Sequence, residues 1–148
     1  MVANNNYYEP NNSSSTAKTI ALNSSQLHSI NYNNDVDWAK FTLTEASSLR
    51  LETSGQAGFD TRLWLFYGEN LTQVGYNDDI NDAGGNHYSF LNYTCSNPLV
   101  AGTYYLRVDD YYLDQTIPEY EISLRNVKSC RNNINNAFIP VLMKFLLE

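Results

Sequence analysis

The sequence predicts an all-β protein, an antiparallel sandwich of eight or nine short strands. Apolar residues recur with a period of two rather than 3.6. Clusters of Gly, Asn, Asp and Pro interrupt the chain about every ten residues. No stretch before residue 130 holds a helical period.

The strands follow in order. "TIAL" (19–22) and "LHSI" (27–30) are the first short candidates. In "VDWAKFTLT" Ala39, Phe41 and Leu43 share one face, opposite Trp38, Lys40 and Thr42. "SLRLET" sets Leu49 and Leu51 against Arg50 and Glu52. "TRLWLFY" points Leu63, Leu65 and Tyr67 one way, and Trp64 and Phe66 make its second face apolar too. That pattern predicts a central strand covered on both sides, with Trp64 packed between sheets or, as the alternative, available for contact with a partner. "TQVGY" and "HYSFLNY" are shorter runs. "TYYLRVD" alternates Tyr104, Leu106 and Val108 with Tyr105, Arg107 and Asp109. "YEISLRNV" alternates Tyr120, Ile122 and Leu124 with Glu121, Ser123 and Arg125. The chain thereby divides into a leader (1–16), a sandwich (17–127) and a tail or linker (128–148).

At 148 residues the chain makes one domain with one core. Hydrophobic residues reach 43%, too many for a disordered chain. The net charge of -7 opposes nucleic acid and anionic membranes as partners and favours cations. Scarce lysine with abundant asparagine and tyrosine fits a secreted or cell-surface β protein, expected as a monomer. No signal-peptide pattern opens the sequence, and Met1-Val2 and Leu147-Glu148 read as additions at its ends. No run reaches the roughly 18 apolar residues of a membrane span. The tail "AFIPVLMKFLLE" is interrupted by Pro140 and Lys144.

Catalytic patterns are absent: no G-x-S-x-G, no H-E-x-x-H, no glycine-rich phosphate loop after a strand. The two histidines, His28 and His87, lie on separate short strands or their edges and read as surface residues. No enzyme is expected. Cys95 and Cys130 lack the spacing of a zinc motif. They are either buried thiols or a disulfide. Both close predicted strands that run the same way, and a bridge formed in an oxidising compartment contributes on the order of 3 kcal/mol. The Asn-x-Ser/Thr sequons at Asn12, Asn23, Asn70 and Asn92 are expected by chance in so Asn-rich a chain.

Two groups of oxygen-bearing residues stand out. "EPNN" offers Glu9, Asn11 and Asn12 beside Pro10, whose fixed φ lowers the entropy of gathering them. "NDVD" offers Asp35 and Asp37, which an extended strand turns to the same side. Calcium takes six to eight such oxygens. The competing reading leaves Glu9 solvated and the two aspartates capping a turn. A weaker cluster, "YNDDINDAGGN", holds Asn77, Asp78, Asp79, Asn81 and Asp82, with Asp60 nearby in the "GFDT" turn. It lacks EF-hand spacing, and Asp and Asn also simply form turns. For contact with a partner, Tyr105, Tyr111 and Tyr112 are the candidates, rigid aromatic faces with a hydroxyl each. Their alternative role is ordinary packing and edge cover.

Four segments in order resemble the bacterial pre-peptidase C-terminal domain family. They are "YEPNNSSSTAKTI", "NDVDWAKFTLTEASSLRLET", "FDTRLWLFYGENLTQVGYNDD" and "AGTYYLRVDDYY...YEISL", within roughly residues 7–127. The resemblance implies a jelly-roll-like sandwich and a secreted, non-catalytic accessory module of peptidases and other exported enzymes. The related collagen-binding domains of clostridial collagenases imply a calcium ion near the leader, here at Glu9, Asn11, Asn12, Asp35 and Asp37, and a protein substrate as partner. Where relatives often carry acids, this chain has Tyr7 and Asn12, so one ion rather than two is expected. A carbohydrate-binding module and a ligand-free spacer of a surface protein are the alternatives.

Overall fold

The computed structural model describes residues 7–131. The expected terminal additions and the apolar run from Ala137 onward lie outside the described residues.

Among the described residues, nine strands form two sheets. They are β1 (Lys18–Thr19), β2 (Ser24–Ile30), β3 (Val36–Leu43), β4 (Ser47–Gly55), β5 (Thr61–Tyr67), β6 (Thr72–Asn77), β7 (Phe90–Tyr93), β8 (Gly102–Asp110) and β9 (Ile117–Ser129). One sheet has the order β1-β3-β8-β5-β6, the other β2-β9-β4-β7. All pairings are antiparallel except the two-residue β1, which runs parallel to β3. "TIAL" is thus reduced to this short edge, and β9 runs two residues past the expected boundary at 127.

The period of two sorts the side chains as the hydropathy pattern demands. Ala39, Phe41 and Leu43 from β3, Leu63 and Leu65 from β5, and Tyr104, Leu106 and Val108 from β8 face inward. They meet Leu49 and Leu51 from β4 and Tyr120, Ile122 and Leu124 from β9. Phe41 and Tyr104 stack at 5.3 Å across the β3–β8 pair. Burying one such side chain stabilises by about 1.5–3 kcal/mol.

The five-stranded sheet has one acidic end. Asp35 stands just before β3 and Asp60 just before β5, while β8 closes on Asp109 and Asp110 and β6 runs out into Asp78 and Asp79. The register brings these ends together: Val36 opposes Asp109, Thr61 opposes Asp110, and Leu63 opposes Asn77. The disulfide lies at the other end. Cys95 and Cys130 are bonded, and Cys130 N–H donates to the Ala46 carbonyl in the β3–β4 turn.

Candidate functional site

Residues 7–17 lie along the acidic end and bring the leader to the sandwich. Trp38 N–H donates to the Asn11 carbonyl at 2.9 Å. A 3-10 turn, Ser14–Thr16, follows, tied by the Ser13 and Thr16 hydroxyls. The Glu9–Pro10 peptide is cis. The Tyr8 ring stacks on His28 at 4.9 Å and closes the pocket from outside.

Asn11 is fully buried and organises the site. Its backbone N–H donates to Glu9 Oε2 at 3.1 Å. Its Nδ2 donates to Asp37 Oδ1 at 2.9 Å and lies 3.3 Å from His28 Nδ1. The amide is thereby oriented, and Asn11 Oδ1 is buried with no hydrogen-bond donor from the protein. Asp35, also buried, accepts from Asn31 N–H on Oδ2 at 2.7 Å, and its Oδ1 is likewise without a donor. Asn31 Nδ2 reaches Glu9 Oε1 at 3.4 Å, so Glu9 and Asp35 share a neighbour. Partial burial raises the Glu9 carboxyl above its ordinary range, and the nearby Asp35 charge adds to this.

Asp37 turns inward, where Tyr120 donates its hydroxyl to Oδ2. Burial pushes the Asp37 carboxyl up to about 7. His28 is 3% exposed and burial lowers it to about 4, which keeps the imidazole neutral. The bonds define its tautomer: Nδ1 accepts from Asn11, and Nε2–H donates to Gln26 Oε1 at 3.2 Å. The surface reading of His28 is therefore corrected. On β2 the inward positions are Gln26, His28 and Ile30, while Leu27 is exposed. This edge strand packs polar groups inward because each finds a partner, Asn11 of the leader for His28 and the Thr19 carbonyl of β1 for Gln26. Asn12 sits at the exposed rim and donates to the Tyr32 hydroxyl.

The second cluster is built from two loops, β4–β5 with Asp60 and β6–β7 with Asp78, Asp79, Asp82 and His87. Asp79 Oδ1 lies 2.9 Å from His87 Nδ1, and Asp82 Oδ1 lies 3.8 Å from it. Asp60, Asp79 and His87 each offer one ligand atom, all within 4.8 Å of one another. A cavity of about 210 Å³ opens between Asp60, Asp78, Asp79, Asp82, His87 and the two tyrosines 111 and 112. Desolvation, reinforced by Asp79 and Asp78, raises Asp60 to about 6. The bond to Asp79 raises His87. Asn77 and Asn81 stay outside the cluster: Asn77 Oδ1 accepts from Phe90 N–H and Asn81 Oδ1 from Gly84 N–H.

The family model for the bacterial pre-peptidase C-terminal domain matches residues 35–110, from the first aspartate of the leader site to the last residue of β8. The chain belongs to this family. Glu9, Asn11 and Asn12 precede the matched residues of this pre-peptidase C-terminal domain. Among solved structures, it is similar to the pre-peptidase C-terminal domain of collagenase from Bacillus anthracis, at 19% identity and TM-score 0.59, over 73% of this chain and 93% of that one. It is also similar to Aeromonas hydrophila PliG, a periplasmic lysozyme inhibitor of g-type lysozyme, at 9% identity and TM-score 0.53, over 76% and 96%. At these identities the likeness is one of fold. No curated protein matches the chain.

The outer face of this domain's five-stranded sheet carries an aromatic surface that the sequence only partly revealed. Register sets Trp38 on β3 beside Arg107 on β8, and Arg107 beside Trp64 on β5, with Tyr76 on β6 next in line. Trp38 stacks with Phe66 at 5.6 Å and Trp64 meets Tyr76 at 5.1 Å. The Arg62 and Arg107 guanidinium groups sit 5.0 and 4.7 Å from the Trp64 ring. Both arginines pair with the buried Asp109. Trp64 thus faces outward rather than packing between sheets, and β5 is covered on its second face by neighbouring side chains rather than by another layer. The two-sided hydropathy of "TRLWLFY" records these ring and cation contacts. Tyr105 points outward beside Phe66, while Tyr111 and Tyr112 stand exposed in the loop after β8, edge to face at 4.6 Å. Among the described residues no helix is long and apolar enough to cross a membrane.

Proposed function

We propose that the chain is a secreted, non-catalytic accessory module of an exported peptidase or another extracellular enzyme. A calcium ion steadies it at the leader, and it offers the aromatic outer face to a polypeptide or polysaccharide substrate. Family membership supports the accessory role. The calcium reading rests on one observation: the docked leader leaves Asn11 Oδ1 and Asp35 Oδ1 buried without donors beside Glu9. A buried oxygen lacking a donor costs on the order of 1–3 kcal/mol, and a hard cation removes that cost. Glu9, Asn11 and Asp35 would be the ligands. Asp37 holds the Asn11 amide in orientation, and Asn12 sits at the rim.

Thermal melting in calcium and in chelator tests the ion. A ligand at a hundredfold excess over its Kd stabilises by about 2.7 kcal/mol. Asp35→Asn should lose that gain. Equal melting temperatures in calcium and chelator would remove the ion from the account.

The partner is tested by retention on collagen, gelatin and insoluble polysaccharides. PliG is named an inhibitor of a lysozyme, so a similar sandwich there serves a protein target, which favours a polypeptide. The row of Trp38, Trp64 and Tyr76 favours sugar rings as the second reading, because flat aromatic faces pack on apolar ring faces. Retention that Trp64→Ala and Tyr111→Ala abolish identifies the face. Passage through every polymer would leave a structural spacer.

A further inference from the structure

We propose that Asp60, Asp79 and His87 form a second metal site, one for a zinc-class transition-metal ion rather than calcium. The three ligand atoms already lie within 4.8 Å of one another. Ligands about 2.1 Å from a tetrahedral ion stand about 3.4 Å apart, a contraction that side-chain torsions can supply. The backbone beneath them is cross-tied. Thr61 N–H donates to the His87 carbonyl at 3.0 Å, Ile80 N–H to the Tyr88 carbonyl at 2.7 Å, and Tyr111 N–H to the Asp60 carbonyl at 3.2 Å. The Ser89 hydroxyl holds the Asp78 carbonyl at 2.9 Å.

Two further observations point to a cation. Oδ1 of Asp60 and Oδ1 of Asp78 are buried with no donor from the protein. The cavity of about 210 Å³ into which the cluster opens is large enough for an ion and its water. The two nearby arginines, Arg62 and Arg107, form their ion pairs with Asp109 rather than with these acids.

The imidazole decides the class of ion. Calcium and magnesium take oxygen ligands, whereas a histidine nitrogen among carboxylates suits zinc and its neighbours. The residues come from positions 60, 79 and 87, a spacing that matches no zinc motif, so sequence patterns pass over it. Three protein ligands leave a fourth position for water or a partner's side chain. Asp78 and Asp82 line the same cavity.

The untagged chain is stripped with chelator, dialysed against calcium, and titrated with zinc chloride by calorimetry. One zinc per chain is expected with calcium present. His87→Gln and Asp60→Asn should each weaken it at least tenfold, with circular dichroism confirming that both variants fold. Asp35→Asn, in the leader site, should bind zinc as the wild type does. Three results would overturn the proposal: no zinc uptake, uptake unchanged in both His87→Gln and Asp60→Asn, or loss of zinc binding in Asp35→Asn alone.

Discussion

His28 and Asp37 lie 3.9 Å apart in a pocket closed by Tyr8, and burial displaces them in opposite directions. Asp37 rises from 3.8 to about 7, and His28 falls from 6.5 to about 4. In the folded state Asp37 keeps a proton that the unfolded chain has released. Its contribution to stability is therefore fully present below pH 3.8 and is lost as pH rises through about 7. At about 1.4 kcal/mol per pH unit, the loss is on the order of 4 kcal/mol. His28 does the reverse. Its contribution is present above pH 6.5 and is lost as pH falls through about 4, on the order of 3 kcal/mol. The two slopes oppose each other across most of this window, so in chelator the pair leaves the wild type nearly flat. Single substitutions uncover each slope. Measured as the difference from wild type, Asp37→Asn should gain stability as pH climbs from 4 to 7, and His28→Gln should lose it from 4 to 6.5. Urea unfolding followed by tryptophan fluorescence, in chelator at half-unit steps, reads both. Three parallel profiles would refute the assignment of opposite displacements.

Breaking the Cys95–Cys130 bridge, which spans 35 residues, should cost about 4 kcal/mol in urea unfolding of the Cys95→Ser, Cys130→Ser double variant. Leu106→Ala, at the centre of the five-stranded sheet, should cost about 2–5 kcal/mol by the same measurement. Gly102 has φ of +146°, and a Cβ there would meet the Tyr67 ring. Gly102→Ala should therefore lower the melting temperature by several degrees, with at least about 1 kcal/mol lost.

The strands were legible because alternation is a local property. Phe41, Leu65, Leu106 and Ile122 announce their inward faces through their immediate neighbours. Two things were not local. His28 reads as polar edge, yet it is buried because Asn11, seventeen positions earlier in the chain, supplies its partner and Tyr8 its cover. Trp64 reads as core, yet it is an outer-face ring held by Arg62 and Arg107. Hydropathy reports how much a side chain avoids water, not whether carbon or a guanidinium does the covering. The Asp35–Asp37 pair was found by spacing, but its two carboxylates end in different roles. A strand's alternation puts both on one side without saying that one will meet Tyr120 in the core.

Aspartate on this domain gathers at the end of the sandwich opposite the disulfide. One end of the sandwich is stapled covalently by Cys95–Cys130 and by the short turn between β3 and β4. At the other end, strands β3, β5, β6 and β8 all start or finish beside aspartate. Aspartate there is good turn chemistry, since its carboxylate accepts from nearby backbone N–H groups, as Asp110 does from Asp114 and Gln115. Four strand ends side by side, however, crowd like charges, and among the described residues arginine pairs directly with one of these acids, Asp109. A divalent ion, as proposed above, would relieve that crowding most where carboxylate oxygens are buried and lack donors, as they are at Asp35, Asp60 and Asp78. The same local preference that ends each strand therefore assembles, across the sheet, the groups that a cation requires.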